Sequence, residues 1–530
     1  MAPLPPSDTL LQPPTSPPTV PTRRPSTYTP LPTYHLPTSS RTYTQQFSDL
    51  YFSRLALLKP ATSSHAHETW SGFRLGKTAA QKVERVLDVR QGDLCYVVGT
   101  VFMEMPLKPN VLEDVGREEW ISAPVNSLGK FFEEKQEEEK EGTNGVDTGA
   151  GGKKGGKNGF AQRRVMLEDE SGRLRLTGEA LDKVLLVTGA IVAVLGTENR
   201  DGEFEVLDLR VPDLPRQPAR WEKGDAERVV KKEEEVGERE RAGKIALVSG
   251  LGISGEDGDM LALEMLGEYL TGEAGAEGDV KRSSEISRLF VLGNSLQHGG
   301  PIPTREELAS KRLGARKYGY DSSSYNSAPT DMLDNWLAGL LPSLPVTLLP
   351  GDSDPTQAAL PQQPMHAALF PRARAYMPQP PPVAANKKTE PERVGWFHSV
   401  TNPWEGEVDG WRVLATGGQP IDDMCRYVRG DDRIEIMEST LRWRVVAPTA
   451  PDTLWCYPFQ EGDAFVLKAC PHIYLVGNQP HFDTNVIEGP NGQAVRLIAV
   501  PKFKETGEIV LLDAETMEVE VVKFELFGGD

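Results

Sequence analysis

Cysteine is scarce. Four occur in 530 residues (Cys95, Cys425, Cys456 and Cys470), and no two form a CxxC pair. That argues against a structural zinc site or a disulfide framework and suits a reducing compartment. Long apolar runs are missing as well: none reaches membrane-spanning length, and the first residues hold no signal-peptide core. A soluble, intracellular protein is expected. Basic excess is lacking too. The formal net charge is −19, so the bulk surface repels nucleic acid, and any contact with it needs a local basic patch or a partner.

What is present reads as two folded parts with charged or proline-rich pieces between them. Residues 1–40 carry twelve prolines among Ser and Thr and read as a disordered tail. In the next stretch Phe47, Leu50, Tyr51 and Leu55 fall at helical spacing. Gln45 hints at a clamp-binding peptide, but Ser48 stands where such a peptide needs an aliphatic anchor. From Val86 to about Trp221 the texture is β. Leu94–Met105 is rich in β-branched and aromatic residues, a hairpin is expected around Glu170-Ser171-Gly172, and strands are expected over Val184–Val194 and Phe204–Leu209. Short strands with turns fit a small closed barrel of the OB type. A Glu/Lys block and then a Gly/Lys block, Glu133–Gly159, interrupt it and read as a disordered insertion, and the charged run 223–243 reads as the linker between the domains. From Ile245 strands and helices alternate: strands at Ile245–Val248, Arg288–Leu292, Val346–Leu349, Val413–Ala415, Trp443–Val446, Ile473–Val476, Val495–Val500 and Ile509–Leu512, helices near Met260–Tyr269 and 331–341. A layered α/β sandwich follows.

Four strands of this second part end in small, amide or acidic residues: Ser249-Gly250-Leu251-Gly252, Gly293-Asn294, Pro350-Gly351-Asp352-Ser353-Asp354 and Gly477-Asn478-Gln479-Pro480. Ligand sites gather where strands of an α/β sheet end. The spacing resembles the calcineurin-like phosphoesterases, whose strand ends read Asp-x-His, Gly-Asp, Gly-Asn-His-Asp and Gly-His-x-His and hold two metals. The sequence departs at nearly every ligand. Gly250 and Gly252 replace the first Asp and His, and Asn294 replaces the bridging carboxylate. Asp352 takes the asparagine position and Ser353 the acid histidine position. Asn478 and Pro480 replace the last histidines. Asp352, Asp354 and two amides could hold one Mg²⁺ loosely but cannot make a tight dinuclear centre. His366, His398, His472 and His481 show no metal-binding spacing to rescue it. No catalytic residue, metal or cofactor is expected.

Longer stretches carry a closer likeness: Gln45-Gln-Phe-Ser-Asp-Leu-Tyr51, Leu360-Pro-Gln-Gln-Pro-Met-His366, Thr401-Asn-Pro403, Ala447-Pro-Thr-Ala-Pro-Asp-Thr-Leu454 and Cys470-Pro-His-Ile-Tyr-Leu-Val-Gly-Asn478. In these the sequence resembles the small subunits of eukaryotic DNA polymerase delta, within the B-subunit family of DNA polymerases alpha, delta and epsilon. The resemblance covers about nine-tenths of the chain. It implies an α+β, multi-domain architecture, an OB-fold barrel docked on a calcineurin-like phosphoesterase sandwich lacking its metal ligands. It also implies a non-catalytic scaffold that joins the C-terminal metal-binding domain of the polymerase delta catalytic subunit to the third subunit. Such a protein works in the nucleus in DNA replication and repair, and meets DNA and the sliding clamp mainly indirectly. The expected division is 1–40 tail, 41–222 helix and OB domain (insertion about 131–160), 223–243 linker, and 244–530 inactive phosphoesterase-like domain. The proline-stiffened segment Asp354–Phe370 is expected to plug the old pocket with Leu360, Met365 and Phe370.

Overall fold

The computed structural model describes residues 22–42, 44, 46–108, 130–131, 164–222, 241–256, 258–274, 277–297, 327–378, 395–460 and 462–524. The expected tail before residue 22, nearly all of the Glu/Lys/Gly insertion and linker residues 223–240 lie outside these.

A short strand, β1 (Tyr28–Leu31), opens the described chain, followed by helix α1 (Ser48–Trp70). Leu50, Arg54, Leu58, Thr62, Ala66 and Trp70 recur every fourth residue and form its buried row, so one face of α1 is covered along its whole length. Phe47, expected on that face, precedes the helix and is 49% exposed. Five longer strands follow: β2 (Leu94–Glu104), β3 (Arg164–Glu168), β4 (Arg173–Thr177), β5 (Ile191–Glu198) and β6 (Glu203–Arg210). They pair β2–β3–β4 antiparallel, β4–β6 parallel, β6–β5 antiparallel and β5–β2 antiparallel, which closes a ring. Closure removes the open edges that a small sheet would otherwise present. The first strand pairs with β5 over Leu94–Thr100 and with β3 over Thr100–Glu104, and next to the changeover Gly99 leaves room for the neighbouring strand, because a Cβ there would lie 2.7 Å from the Glu168 carbonyl oxygen. The strand expected from Val184 starts only at Ile191. Gly189 turns the chain first (φ +88°), with its backbone against the Pro448 carbonyl of the second part.

The second part has two six-stranded sheets. Its further strands are β7 (Lys244–Val248), β8 (Ile286–Leu292), β9 (Val346–Leu349), β10 (Phe397–Ser399), β11 (Trp404–Val408), β12 (Trp411–Thr416), β13 (Ile473–Gln479), β14 (Asp483–Glu488), β15 (Ala494–Pro501), β16 (Glu508–Asp513) and β17 (Val519–Lys523). One sheet runs β1-β11-β12-β13-β15-β14, the other β10-β9-β8-β7-β16-β17. Side chains alternate between faces as the strand period of two requires. Ile245, Leu247, Phe290, Leu292, Ile473, Leu475, Ile498 and Val500 fill the space between the sheets. Ala246, Val248, Leu289 and Val291 face a core shared with helices α2 (Gly258–Thr271) and α4 (Ala328–Leu340), with α3 (Glu277–Glu285) between these in sequence. Tyr474, Val476, Leu497 and Ala499 face helices α5 (Gln419–Cys425) and α6 (Arg433–Trp443). That third core continues without a break into α1 and the barrel, so barrel and sandwich share one apolar interior.

Two expectations are corrected. Trp443–Val446 is not a strand. Asp432 caps α6 by accepting the Glu435 N–H at 2.9 Å, and Arg444 ends the helix in the left-handed conformation (φ 57°). Nor is the end of the proline-rich tail free. Residues 22–42 strap onto the sandwich, where β1 pairs antiparallel with β11 and Pro30 is tolerated because β1 is an edge strand. Arg23 donates to the carbonyls of Leu270, Ser283 and Ile286 at 2.7–2.8 Å. Tyr34 is buried beside Phe465, and the Thr42 N–H meets the Tyr457 hydroxyl at 2.9 Å. Composition counted the prolines but not the sheet edge waiting for them. All four cysteines are buried and unpaired. Burial pushes their thiols up, to about 11 for Cys95 and about 12 for the others, which keeps them protonated and unreactive.

The two parts are pinned by Arg54 of α1. Its Nε donates to Asp463 Oδ2 at 2.6 Å, and both side chains are fully buried. Its other nitrogens donate to the carbonyls of Pro448 (2.6 Å), Ala450 (3.0 Å) and Gly189 (3.4 Å). Removing one partner of such a pair strands a buried charge. Arg54→Met is therefore expected to cost about 3–5 kcal/mol, read as a lower midpoint in urea unfolding, whereas Arg85→Met on the exposed surface leaves the midpoint within error.

Candidate functional site

The parallel strands β7, β8 and β9 end side by side, and β13 of the facing sheet ends against them. The corner expected from the sequence therefore exists, and its contents decide what it can do. Gly250, Gly252, Asn294 and Asn478 all sit at φ between 52° and 61°, turning the chain sharply at each strand end. The Gly250 N–H bonds the Gly293 carbonyl and the Gly252 N–H bonds the Asn294 carbonyl, both at 3.0 Å. A Cβ at Gly250 would stand 2.9 Å from Asn478 Oδ1 and from Lys502 Cβ. The position thus accepts neither the φ nor the bulk of an aspartate. At Gly252 the Lys504 side chain covers the same space, its Nζ donating to the Gly252 carbonyl at 2.7 Å.

Asn478 stitches the two sheets together. Its Nδ2 donates to the Leu292 carbonyl at 3.1 Å and the Gly417 carbonyl at 2.8 Å, while its N–H donates to Ser249 Oγ at 2.8 Å. Asn294 Oδ1 accepts the Ser353 N–H, and Ser353 Oγ donates to the Leu296 carbonyl at 2.6 Å. Asp354 is buried and faces inward. Its oxygens accept the N–H groups of Gly351 (2.8 Å), Leu296 (2.9 Å) and Ser295 (3.2 Å). Burial raises its pKa to about 6, against the pull of these N–H donors. Asp352, two residues earlier, is exposed, as is Pro480. The structure therefore gathers Gly250, Gly252, Asn294, Ser353, Asp354 and Asn478, but it points the two carboxylates in opposite directions.

Around this centre lies a ring of amides that sequence reasoning missed. Gln362 Nε2 donates to the Gly351 carbonyl at 3.0 Å, and its Oε1 accepts from Asn402 (2.8 Å) and Gln419 (3.0 Å). Asn402 Oδ1 accepts the Gly417 N–H at 2.9 Å. Gln362 and Asn402 lie in stretches already singled out for their likeness, Leu360–His366 and Thr401–Pro403, but no local pattern joins them to each other or to Gln419. The expected plug is corrected in its parts. Leu360, Met365 and Phe370 are buried, but Leu360 joins the core shared with the barrel, and Met365 and Phe370 join the core under α2 and α4. Polar Gln362, between them in sequence, is the residue that reaches the corner. The four histidines are scattered in role. His366 caps a single turn and His481 is exposed, while His472 lies edge-on to Trp411. His398 is packed 4.2 Å from the Tyr28 ring, with burial holding its pKa at about 4. Among the described residues no three His, Cys, Asp or Glu side chains form a metal-holding group.

Two family models match the chain. One, described as DNA polymerase delta subunit OB-fold domain, covers residues 46–209, the barrel with α1. The other describes the B-type subunit of DNA polymerases alpha and epsilon and covers residues 245–484. The DNA polymerase delta small subunit of Arabidopsis thaliana is 33% identical over 480 residues, 91% of each chain. The chain belongs to the DNA polymerase delta small-subunit family. The small subunit of Saccharomyces cerevisiae is likewise 33% identical, covering 92% of this chain and 91% of its own, and DNA polymerase delta subunit 2 of Drosophila melanogaster is 29% identical over 91% and 94%. In this member of the family the corner is polar, buried and held together by its own hydrogen bonds.

The folded-state pKa of Asp354 lies above the ordinary carboxylate value, so its contribution to stability is complete below about pH 4 and is lost as pH rises through about 6. In chemical unfolding, the stability gap between wild type and Asp354→Asn should shrink by about 2 kcal/mol from pH 4 to pH 7. A gap that widens over that range contradicts the assignment.

Proposed function

We propose that the chain is a non-catalytic accessory subunit of DNA polymerase delta. In this reading it joins the C-terminal metal-binding domain of the catalytic subunit to the third subunit, in nuclear replication and repair synthesis. It meets DNA and the sliding clamp through those partners. Its second part is a phosphoesterase-like sandwich whose metal site has become a structural corner. The observation that carries the reading is the direction of the polar groups there. Asp354 accepts three backbone N–H bonds, and Asn294 and Asn478 are turned onto neighbouring strands. A carboxylate surrounded by N–H donors is built to receive positive partial charge from the backbone, which leaves few lone pairs for a cation. The runner-up, a metal-dependent phosphoesterase or nuclease, needs convergent carboxylates and imidazoles and is not favoured.

Co-expression with a polymerase delta catalytic subunit and purification through a tag on that subunit should recover this chain in stoichiometric amount. Asp352→Ala should leave both the yield of the complex and its rate of primer extension within twofold of wild type. The purified chain with Mn²⁺ should show no phosphodiesterase turnover above a no-protein control. Turnover that Asp352→Ala abolishes would reinstate the enzyme reading.

A further inference from the structure

The connection from barrel to sandwich, residues 211–222, runs along the sandwich and forms one wall of a cleft of about 810 Å³. β15 and the hairpin that precedes it form the opposite wall. Four arginines line the cleft, Arg216, Arg220, Arg444 and Arg496, against a single acidic side chain, Glu222. In a chain of net charge −19 this local reversal of sign is itself informative.

Three of the arginines have partners. Arg216 donates from Nη2 to both carboxylate oxygens of Glu222, at 2.7 and 2.9 Å. Arg220 bonds Glu515 at 2.9 Å and stacks 4.2 Å over Trp411. Arg444 donates to the carbonyls of Pro212 and Leu214 at 3.0 and 3.1 Å. Arg496 differs. Its Nε is buried with no hydrogen-bond partner among the described residues, and burial lowers its pKa. A guanidinium left so lacks the forked acceptor that its geometry suits. Beside it the cleft offers apolar contact, with Val486 exposed at the rim and Met517 half-buried.

We propose that this cleft is the docking site for an acidic linear peptide, a carboxylate of which pairs with Arg496 while an apolar neighbour covers Val486 and Met517. A nucleic-acid strand fits less well. Trp411 already carries Arg220 on its face and meets the other ring of the lining, His472, edge-on at 5.1 Å, which leaves no open platform for a base. Arg496 also lines a second hollow, where Arg241 and Lys244 face Glu285, Asp513, Glu518 and Glu520. Arg241 pairs with Asp513 and Lys244 with Glu285 and Glu520, so these cations are already matched and give an extended polyanion no continuous basic track.

Fluorescence anisotropy of the full-length chain with a fluorescein-labelled peptide of alternating glutamate and valine should show saturable, salt-sensitive binding. The lysine–valine counterpart and a labelled oligothymidylate should not bind. Arg496→Gln should weaken binding about tenfold or more, Arg496→Lys should restore part of it, and Arg173→Gln on the barrel surface should change nothing. Val486→Glu, at an exposed position, sets a repelling carboxylate at the rim and should give the same loss without touching Arg496, so the test survives if Arg496→Gln lowers the melting temperature. Undiminished acidic-peptide binding in a folded Arg496→Gln or Val486→Glu protein overturns the proposal. So does the lack of saturable acidic-peptide binding, or Arg496-dependent binding of oligothymidylate.

Discussion

Arg54 and its carbonyl cage set the relation between barrel and sandwich. The guanidinium leaves α1, passes the turn at Gly189 and ends among the carbonyls of residues 447–450 and the Asp463 carboxylate. A buried charge of this kind is stable only with nearly all its donors met, and its partners come from segments far apart in the chain. Once they are met, helix, barrel turn and sandwich loop hold one arrangement. The continuous apolar core then supplies the bulk of the attraction, and the ion pair selects one geometry from the many that apolar contact alone would allow.

The same economy appears in the corner between the sheets. Strand ends in this architecture converge by topology, whether or not they carry ligands, and converging strand ends leave unpaired backbone groups that need partners. Here glycine, asparagine, serine and one inward aspartate meet that need. Asn478 reaches across to the opposite sheet, and Asp354 collects N–H groups that the turns at Gly293 and Pro350 would otherwise leave bare. The corner thus ties the two sheets together, and Gln419 at the start of α5 joins it through Gln362 and Asn402.

Much of this was legible in advance. The β-rich region, the alternation after Ile245 and the strand ends at Gly250, Asn294, Asp354 and Asn478 follow from period-two patterning and from small residues that stop it. The misses have common causes. The strap 22–42 looked disordered because composition reports proline content without the edge of β11 that accepts it. Trp443–Val446 looked like a strand because the apolar run outweighed the Asp432 cap and the turn at Arg444. Leu360, Met365 and Phe370 were correctly apolar and buried, yet burial does not say in which core, and the chain divides them between two.

By itself, then, the sequence determined most of the segments that become strands and helices, that the chain is acidic with four scattered cysteines, and which residues stand at the strand ends. These are local properties, fixed by residue type and spacing. Only the tertiary structure decided that Asp352 turns outward while Asp354 turns in, that Gln362, Asn402 and Gln419 meet in one ring, that Arg54 finds Asp463, and that Arg496 Nε meets no acceptor among the described residues. Each of those depends on the distance between residues remote in the chain, a quantity that no local pattern encodes.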